Sequence, residues 1–185
     1  MQGSAYGESI TGQVTDVADG DTLTIVTTGN ETLKIRLAGV DCPESFQVHG
    51  EAAKQYLSSK TLKRRVRIEP ETIDQYGRTV GMVLVNGENI NRQIVAEGHG
   101  WVFRKYCTAD YCKKWLNLET KAKTARIGLW EGENPKAPWD WRAEQRARDS
   151  NEGVRAVGPV AARRKQPLSF GINSPYDDNQ GPVTI

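Results

Sequence analysis

Near its N-terminus the chain carries three short segments of strand-like composition separated by turn residues, and this leaves few folds open. Residues 9–16 bring Ile10, Gln13 and Val14, with Val17 just beyond. Residues 22–28 alternate, with Leu23 and Ile25 on one side and Thr22, Thr24 and Val26 on the other. Residues 32–38 alternate again through Leu33, Ile35 and Leu37. A period of two sends successive side chains to opposite faces of a pleated strand. Between the segments stand Asp19-Gly20-Asp21 and Gly29-Asn30, a turn signal and a hairpin turn. Three antiparallel strands in succession form a meander, whose apolar face must be covered.

The following residues supply the cover. Residues 51–62 read as a helix with Ala52, Ala53, Tyr56 and Leu57 on one side. Strands follow at 65–70 and 79–85, joined by a loop at 74–78, and the second ends in Asn86-Gly87. A short helix at 90–96 stops at Gly98. A longer one at 109–126 carries Tyr111, Trp115, Leu118, Ala122 and Ala125 at helical spacing and ends at Gly128. Five strands with helices after the third and at the C-terminal side make an α+β chain. A small closed barrel of the OB-fold type is one natural reading.

Composition narrows the function. The chain has 185 residues, 37% of them hydrophobic, which suits one domain with a tail. No window approaches the roughly 18 apolar residues of a membrane span. Lys and Arg number 25 against 23 Asp and Glu, a net charge of +2. A protein that coats nucleic acid is usually far more basic, so the placement of charge has to carry that question. Four of the eight prolines, Pro159, Pro167, Pro175 and Pro182, fall after residue 150 in a stretch without apolar periodicity. Residues 1–8 are read as an N-terminal extension, 9–149 as the folded domain and 150–185 as a flexible tail. The tail's Arg163-Arg164-Lys165 run reads as a solvated basic cluster.

Acidic residues gather where the strand pattern breaks: Asp19 and Asp21 in one loop, Asp41 and Glu44 in another. Hard carboxylate oxygens suit Ca²⁺ or Mg²⁺. Two arginines sit beside matching breaks. Arg36 alternates with Ile35 and Leu37 and so faces away from them, and Arg78 ends the 74–78 loop. Phosphodiester hydrolysis uses these groups together. A cation neutralises phosphate charge, a guanidinium fork grips phosphate oxygens, and a free carboxylate takes a proton from water.

In this order the motifs carry a resemblance. Asp19-Gly20-Asp21-Thr22, Arg36-Leu37-Ala38-Gly39-Val40-Asp41-Cys42-Pro43-Glu44 and Tyr76-Gly77-Arg78 are the first three. Asn91 with Ile94-Val95 and Gly98 follows, and then Ala125 through Gly128-Leu129-Trp130. Over roughly residues 10–131 the chain resembles the staphylococcal nuclease (thermonuclease) family. The resemblance implies an OB-type five-stranded barrel with three helices and a Ca²⁺-dependent endonuclease acting on DNA and RNA with little sequence preference. It places the calcium carboxylates on Asp21 and Asp41, with the backbone carbonyl of Cys42 as a further ligand. It places the general base on Glu44 and the phosphate-gripping arginines on Arg36 and Arg78, with 3′-phosphate products. Mg²⁺ or Mn²⁺ in place of Ca²⁺ stays open. A catalytically weak module that binds nucleic acid or a protein partner is the alternative.

Cys42 stands where the family commonly has Thr or a small residue, which a main-chain ligand tolerates. The loop after Glu44, residues 45–50, is shorter than in the best-known member. Tyr76 and Tyr106 are the base-stacking candidates, worth about 1–3 kcal/mol each, whereas Phe103 reads as packing. His49 reads as a surface residue, His99 as structural, and Trp130, Trp139 and Trp141 as cover for the barrel's lower side. Cys107 and Cys112 read either as a loop-closing disulfide, which implies an oxidising compartment, or as two reduced cysteines. The N-terminus has neither a basic nor an apolar leader region. A secreted or periplasmic location follows if a leader has been removed, and a cytoplasmic one otherwise. A monomer is expected.

Overall fold

The computed structural model describes residues 7–156. Strands β1 (Ile10–Val17), β2 (Thr22–Thr27) and β3 (Thr32–Leu37) form the anticipated meander. A two-residue strand β4 (Val40–Asp41) precedes helix α1 (Gly50–Thr61). Strands β5 (Arg65–Ile73) and β6 (Thr79–Val85) follow, then β7 (Glu88–Asn89), α2 (Ile90–Ala96), β8 (Trp101–Val102) and α3 (Asp110–Thr124). A 3₁₀ turn at Gly128–Glu131 leads to α4 (Pro138–Ala156).

The sheet order is β3-β2-β1-β5-β6-β7, and a parallel pairing of β3 with β6 closes five of the strands into a barrel. Its register sets Ile35 against Thr79, Arg36 against Val80 and Leu37 against Gly81. Closure leaves β3 and β6 without free barrel edges. Alternation decides what is inside. Val14, Leu23, Ile25, Ile35, Leu37, Ile68 and Val83 are all buried, so the inward side chains of every barrel strand meet in one core. Leu57 of α1 and Ile94 of α2 belong to the same cluster. A buried Asn91 stitches the closure: its Nδ2 donates to the carbonyls of Ala38 and Gly81, and its Oδ1 accepts from Val83 N–H.

Among the described residues there are four α-helices rather than the three implied by the resemblance. The addition is α4. It begins on Pro138, whose fixed φ and missing N–H cost nothing in a first helical turn, and Asp140 in that turn suits the positive end of the helix dipole. The Trp-rich entry holds it down. Trp139 stacks on Phe103 with ring centres 5.8 Å apart and meets Trp101 edge-on. Trp139 therefore lies beside the cleft described below, not under the barrel. Trp130 and Trp101 form a small separate cluster with Leu129 and Ala137.

Contacts gather Met1–Arg148 into one unit and Asp149–Ile185 into another. Of the second unit only the end of α4 falls within the described residues. Residues 1–6 and 157–185 lie outside them, including the Arg163-Arg164-Lys165 run and the tail prolines. No helix among the described residues is long and apolar enough to cross a membrane.

Candidate active site

Asp21 owes its place to the turn that enters β2. Its N–H donates to Asp19 Oδ1, an Asx-type turn of the kind Asp favours. Asp21 Oδ1 accepts from Thr22 Oγ1 at 3.1 Å and Oδ2 from Cys42 N–H at 2.8 Å. One carboxylate thus ties the β2 entry to the segment after β4. Asp41 is fixed through a longer relay. Helix α3 buries Glu119, which accepts from Val102 N–H at 2.8 Å. Strand β8 pairs with β4, setting Asp41 against Trp101. Asp41 is completely buried as a residue and Asp21 nearly so, at 0% and 6% exposure.

Arg36 comes from the outward face of β3, as its parity requires. It pairs with Asp21, and its Nη2 donates to Asp41 Oδ1 at 2.9 Å. Glu44 lies in the loop before α1. Gln47 Oε1 accepts from the Glu44 N–H at 3.2 Å, while Gln47 Nε2 donates to the Lys136 carbonyl. Gly50 is required here because a Cβ would collide with the Glu44 carbonyl oxygen.

Arg78 stands across the cleft. Its backbone N–H donates to Asp74 Oδ1 and its Nε to Oδ2, at 3.0 and 2.7 Å. Burial pushes the Asp74 carboxyl up, but the bonds from Arg78 and Tyr76 outweigh it and hold the group below its ordinary value. Tyr76 is largely exposed, with the Arg78 guanidinium 5.5 Å from its ring centre. Tyr106 is also exposed and meets Phe103 edge-on at 4.7 Å. Asp21, Arg36, Asp41, Cys42, Glu44, Tyr76, Arg78, Phe103 and Tyr106 all line one cleft of about 670 Å³.

Two cysteine questions have geometric answers. The Cys42 thiol is buried and donates to the Gly20 carbonyl at 3.2 Å. Burial pushes this thiol up, so it stays protonated. In the structure Cys107 and Cys112 are joined by a disulfide across the entry to α3. This bridge sits under Gly39, whose positive φ and close approach to Cys107 Sγ exclude a side chain.

One participant has no forerunner in the sequence reading. Arg142 of α4 lines the cleft, with Nη2 donating to Asp41 Oδ2 at 2.7 Å and Nη1 to Glu44 Oε1 at 2.6 Å. Its only sequence signal is a Pro-initiated helix start, Pro138-Trp139-Asp140-Trp141-Arg142, which says nothing about what the guanidinium touches. His49 and His99, by contrast, do not line the cleft. His49 caps α1 in a left-handed conformation, and His99 stacks on Tyr56 at 4.1 Å.

The model for staphylococcal nuclease homologues matches residues 34–132. The chain belongs to the staphylococcal nuclease family. It is 35% identical over 139 residues to an uncharacterized endonuclease of Haemophilus influenzae, covering 75% of this chain and 76% of that protein. A micrococcal nuclease of Shigella flexneri is 35% identical over 140 residues, 71% of this chain and 79% of its own length. A probable staphylococcal-like nuclease of Oryza sativa is 36% identical over 113 residues, 61% of this chain but 29% of its own length. Arg142 lies beyond the matched family span.

Nucleases of the staphylococcal nuclease family are generally metal-dependent, and the residues present fit a hard cation. Among the described residues no three His, Cys, Asp or Glu side chains group as a metal cluster, so a closed zinc-type site is not built here. Instead two buried carboxylates, Asp21 and Asp41, converge on a guanidinium that already serves as their counter-cation. A pair of carboxylates completed by carbonyl and water oxygens is a coordination that Ca²⁺ and Mg²⁺ accept.

Proposed function

We propose that this chain is a Ca²⁺-dependent nuclease that hydrolyses phosphodiester bonds in DNA and RNA, cutting within the strand and leaving 3′-phosphate ends. The supporting observation is the convergence of Asp21, Asp41, Glu44 and Arg36 in one cleft that Arg78 also lines. Residues 9–149 are assigned the activity. Asp21, Asp41 and the Cys42 carbonyl are the residues that would hold Ca²⁺, which when bound neutralises charge on the scissile phosphate. Arg36 and Arg78 bind the phosphate oxygens and stabilise the charge added during attack, an effect worth several kcal/mol in comparable sites, roughly 3–4 per donor. Glu44 accepts the proton of the attacking water, and the 5′ oxygen leaves. Tyr76 and Tyr106 offer ring faces to bases. Stacking and phosphate contacts carry little sequence information, which supports weak sequence preference.

The test is cleavage of supercoiled plasmid and of single-stranded RNA in Ca²⁺, Mg²⁺, Mn²⁺ and chelator, with a Glu44→Ala variant alongside. Calcium-dependent loss of both substrates, strongly reduced in the variant, is the expected result. Equal activity in the variant removes Glu44 from the base role. No cleavage in any metal by the folded protein, with nucleic acid still bound, leaves a binding module in place of the enzyme.

A further inference from the structure

Three carboxylates face the cleft's inner wall, Asp21, Asp41 and Glu44, and two guanidiniums answer them, Arg36 and Arg142. Arg36 belongs to the barrel and to the family pattern. Arg142 lies on α4, beyond residues 34–132, and it makes the larger number of bonds to the site. Its Nη2 donates to Asp41 Oδ2 at 2.7 Å, its Nη1 to Asp41 Oδ1 at 3.2 Å and to Glu44 Oε1 at 2.6 Å. Arg142 thus engages both oxygens of Asp41, and Arg36 shares Oδ1.

This contact is not a loose surface pair. Three residues earlier Trp139 stacks on Phe103, and two residues later Glu144 accepts from Lys136 Nζ at 2.6 Å, so α4 is pinned on both sides of Arg142. The side chain is 31% exposed and Asp41's is 1%, which leaves the pair only partly screened by water.

A cation bound by Asp41 needs oxygens that Arg142 holds. It also meets a wall on which one more negative charge has been cancelled. Both effects act in the same direction. We propose that Arg142 is a positioning residue that competes with the metal for Asp41, so that helix α4 sets the concentration of divalent cation at which the site fills. The inference rests on the proposed calcium site.

The experiment is calorimetric titration of CaCl₂ into the full chain, without nucleic acid, for wild type, Arg142→Gln and Arg142→Lys at one ionic strength. Arg142→Gln is expected to bind Ca²⁺ about tenfold more tightly than wild type, as follows from losing one partly buried ionic competitor. Arg142→Lys keeps the charge but not the two-armed fork and should fall between. Wild-type or weaker affinity in Arg142→Gln, with calcium binding retained, overturns this inference and leaves the calcium site standing. Absence of calcium binding in all three folded proteins overturns both. If Arg142→Gln does not fold, Arg142→Lys decides: tighter binding than wild type supports the competition, and equal or weaker binding rejects it.

Discussion

The two walls of the cleft are built on different principles. The barrel wall carries Asp21, Arg36 and Asp41 on strands or strand entries, and each is tied to backbone or to a buried ionic partner. The helix wall carries Arg142 on α4, which is held by aromatic stacking and one exposed ion pair. Asp21 and Asp41 cannot move without disturbing the barrel. Arg142 can leave by a change of side-chain rotamer. If Asp21 and Asp41 hold a cation as proposed, such a site separates the ligands that stay fixed from the side chain that yields to the ion.

Substituting Arg36 should expose the difference most strongly. Arg36→Gln removes a donor proposed to bind phosphate and uncovers a buried carboxylate. The expected loss is about 10²–10³-fold in kcat with roughly 3 kcal/mol of stability, measured by steady-state cleavage and denaturant unfolding. Arg142→Gln should cost less, about 1 kcal/mol in the same unfolding experiment, because Arg142 is partly exposed and Asp41 keeps Arg36 as a partner. Similar stability losses in the two variants would abolish the proposed contrast between the walls.

Next in size is the Cys107–Cys112 bridge. Its five-residue separation predicts a chain-entropy contribution of about 2 kcal/mol. The Cys107→Ser/Cys112→Ser variant, compared with wild type under non-reducing conditions, should unfold earlier by that amount. An unchanged midpoint would show that the bridge does not stabilise the segment beside Tyr106. Tyr106→Ala should follow with a loss of about 1 kcal/mol in kcat/KM, at the low end for base stacking. An effect confined to stability would make this ring a packing residue.

The smallest effect concerns acid. Asp74 titrates below its ordinary 3.8 because Arg78 and Tyr76 bond its charged form more than burial opposes it. A depressed carboxylate contributes stability that is present above its ordinary value and is lost as pH falls through the folded one. Wild type should therefore lose stability below about pH 4, and Asp74→Asn should lose less over that range. Acid unfolding followed by circular dichroism reads the difference, and parallel curves would remove Asp74 from the account.

The meander was legible because its signals are local. Leu23, Ile25, Ile35 and Leu37 alternate over a few residues, and the Asp19-Gly20-Asp21 and Gly29-Asn30 turns punctuate them. The motif residues Asp21, Arg36, Asp41, Glu44 and Arg78 were also legible, by resemblance, and they share one cleft. Neither composition nor period could place Arg78 against Asp74, or turn the Cys42 thiol toward the Gly20 carbonyl. The sequence by itself determined the five barrel strands, the turns between them and the identity of the barrel's polar residues, because those depend on neighbours a few positions apart, whereas the short β4–β8 pairing that holds Asp41 joins residues some sixty positions apart. Tertiary structure alone decided that Arg142 meets Glu44 and Asp41 from 98 and 101 residues away. No local pattern encodes that meeting, since it depends on where an entire folded chain delivers one helix.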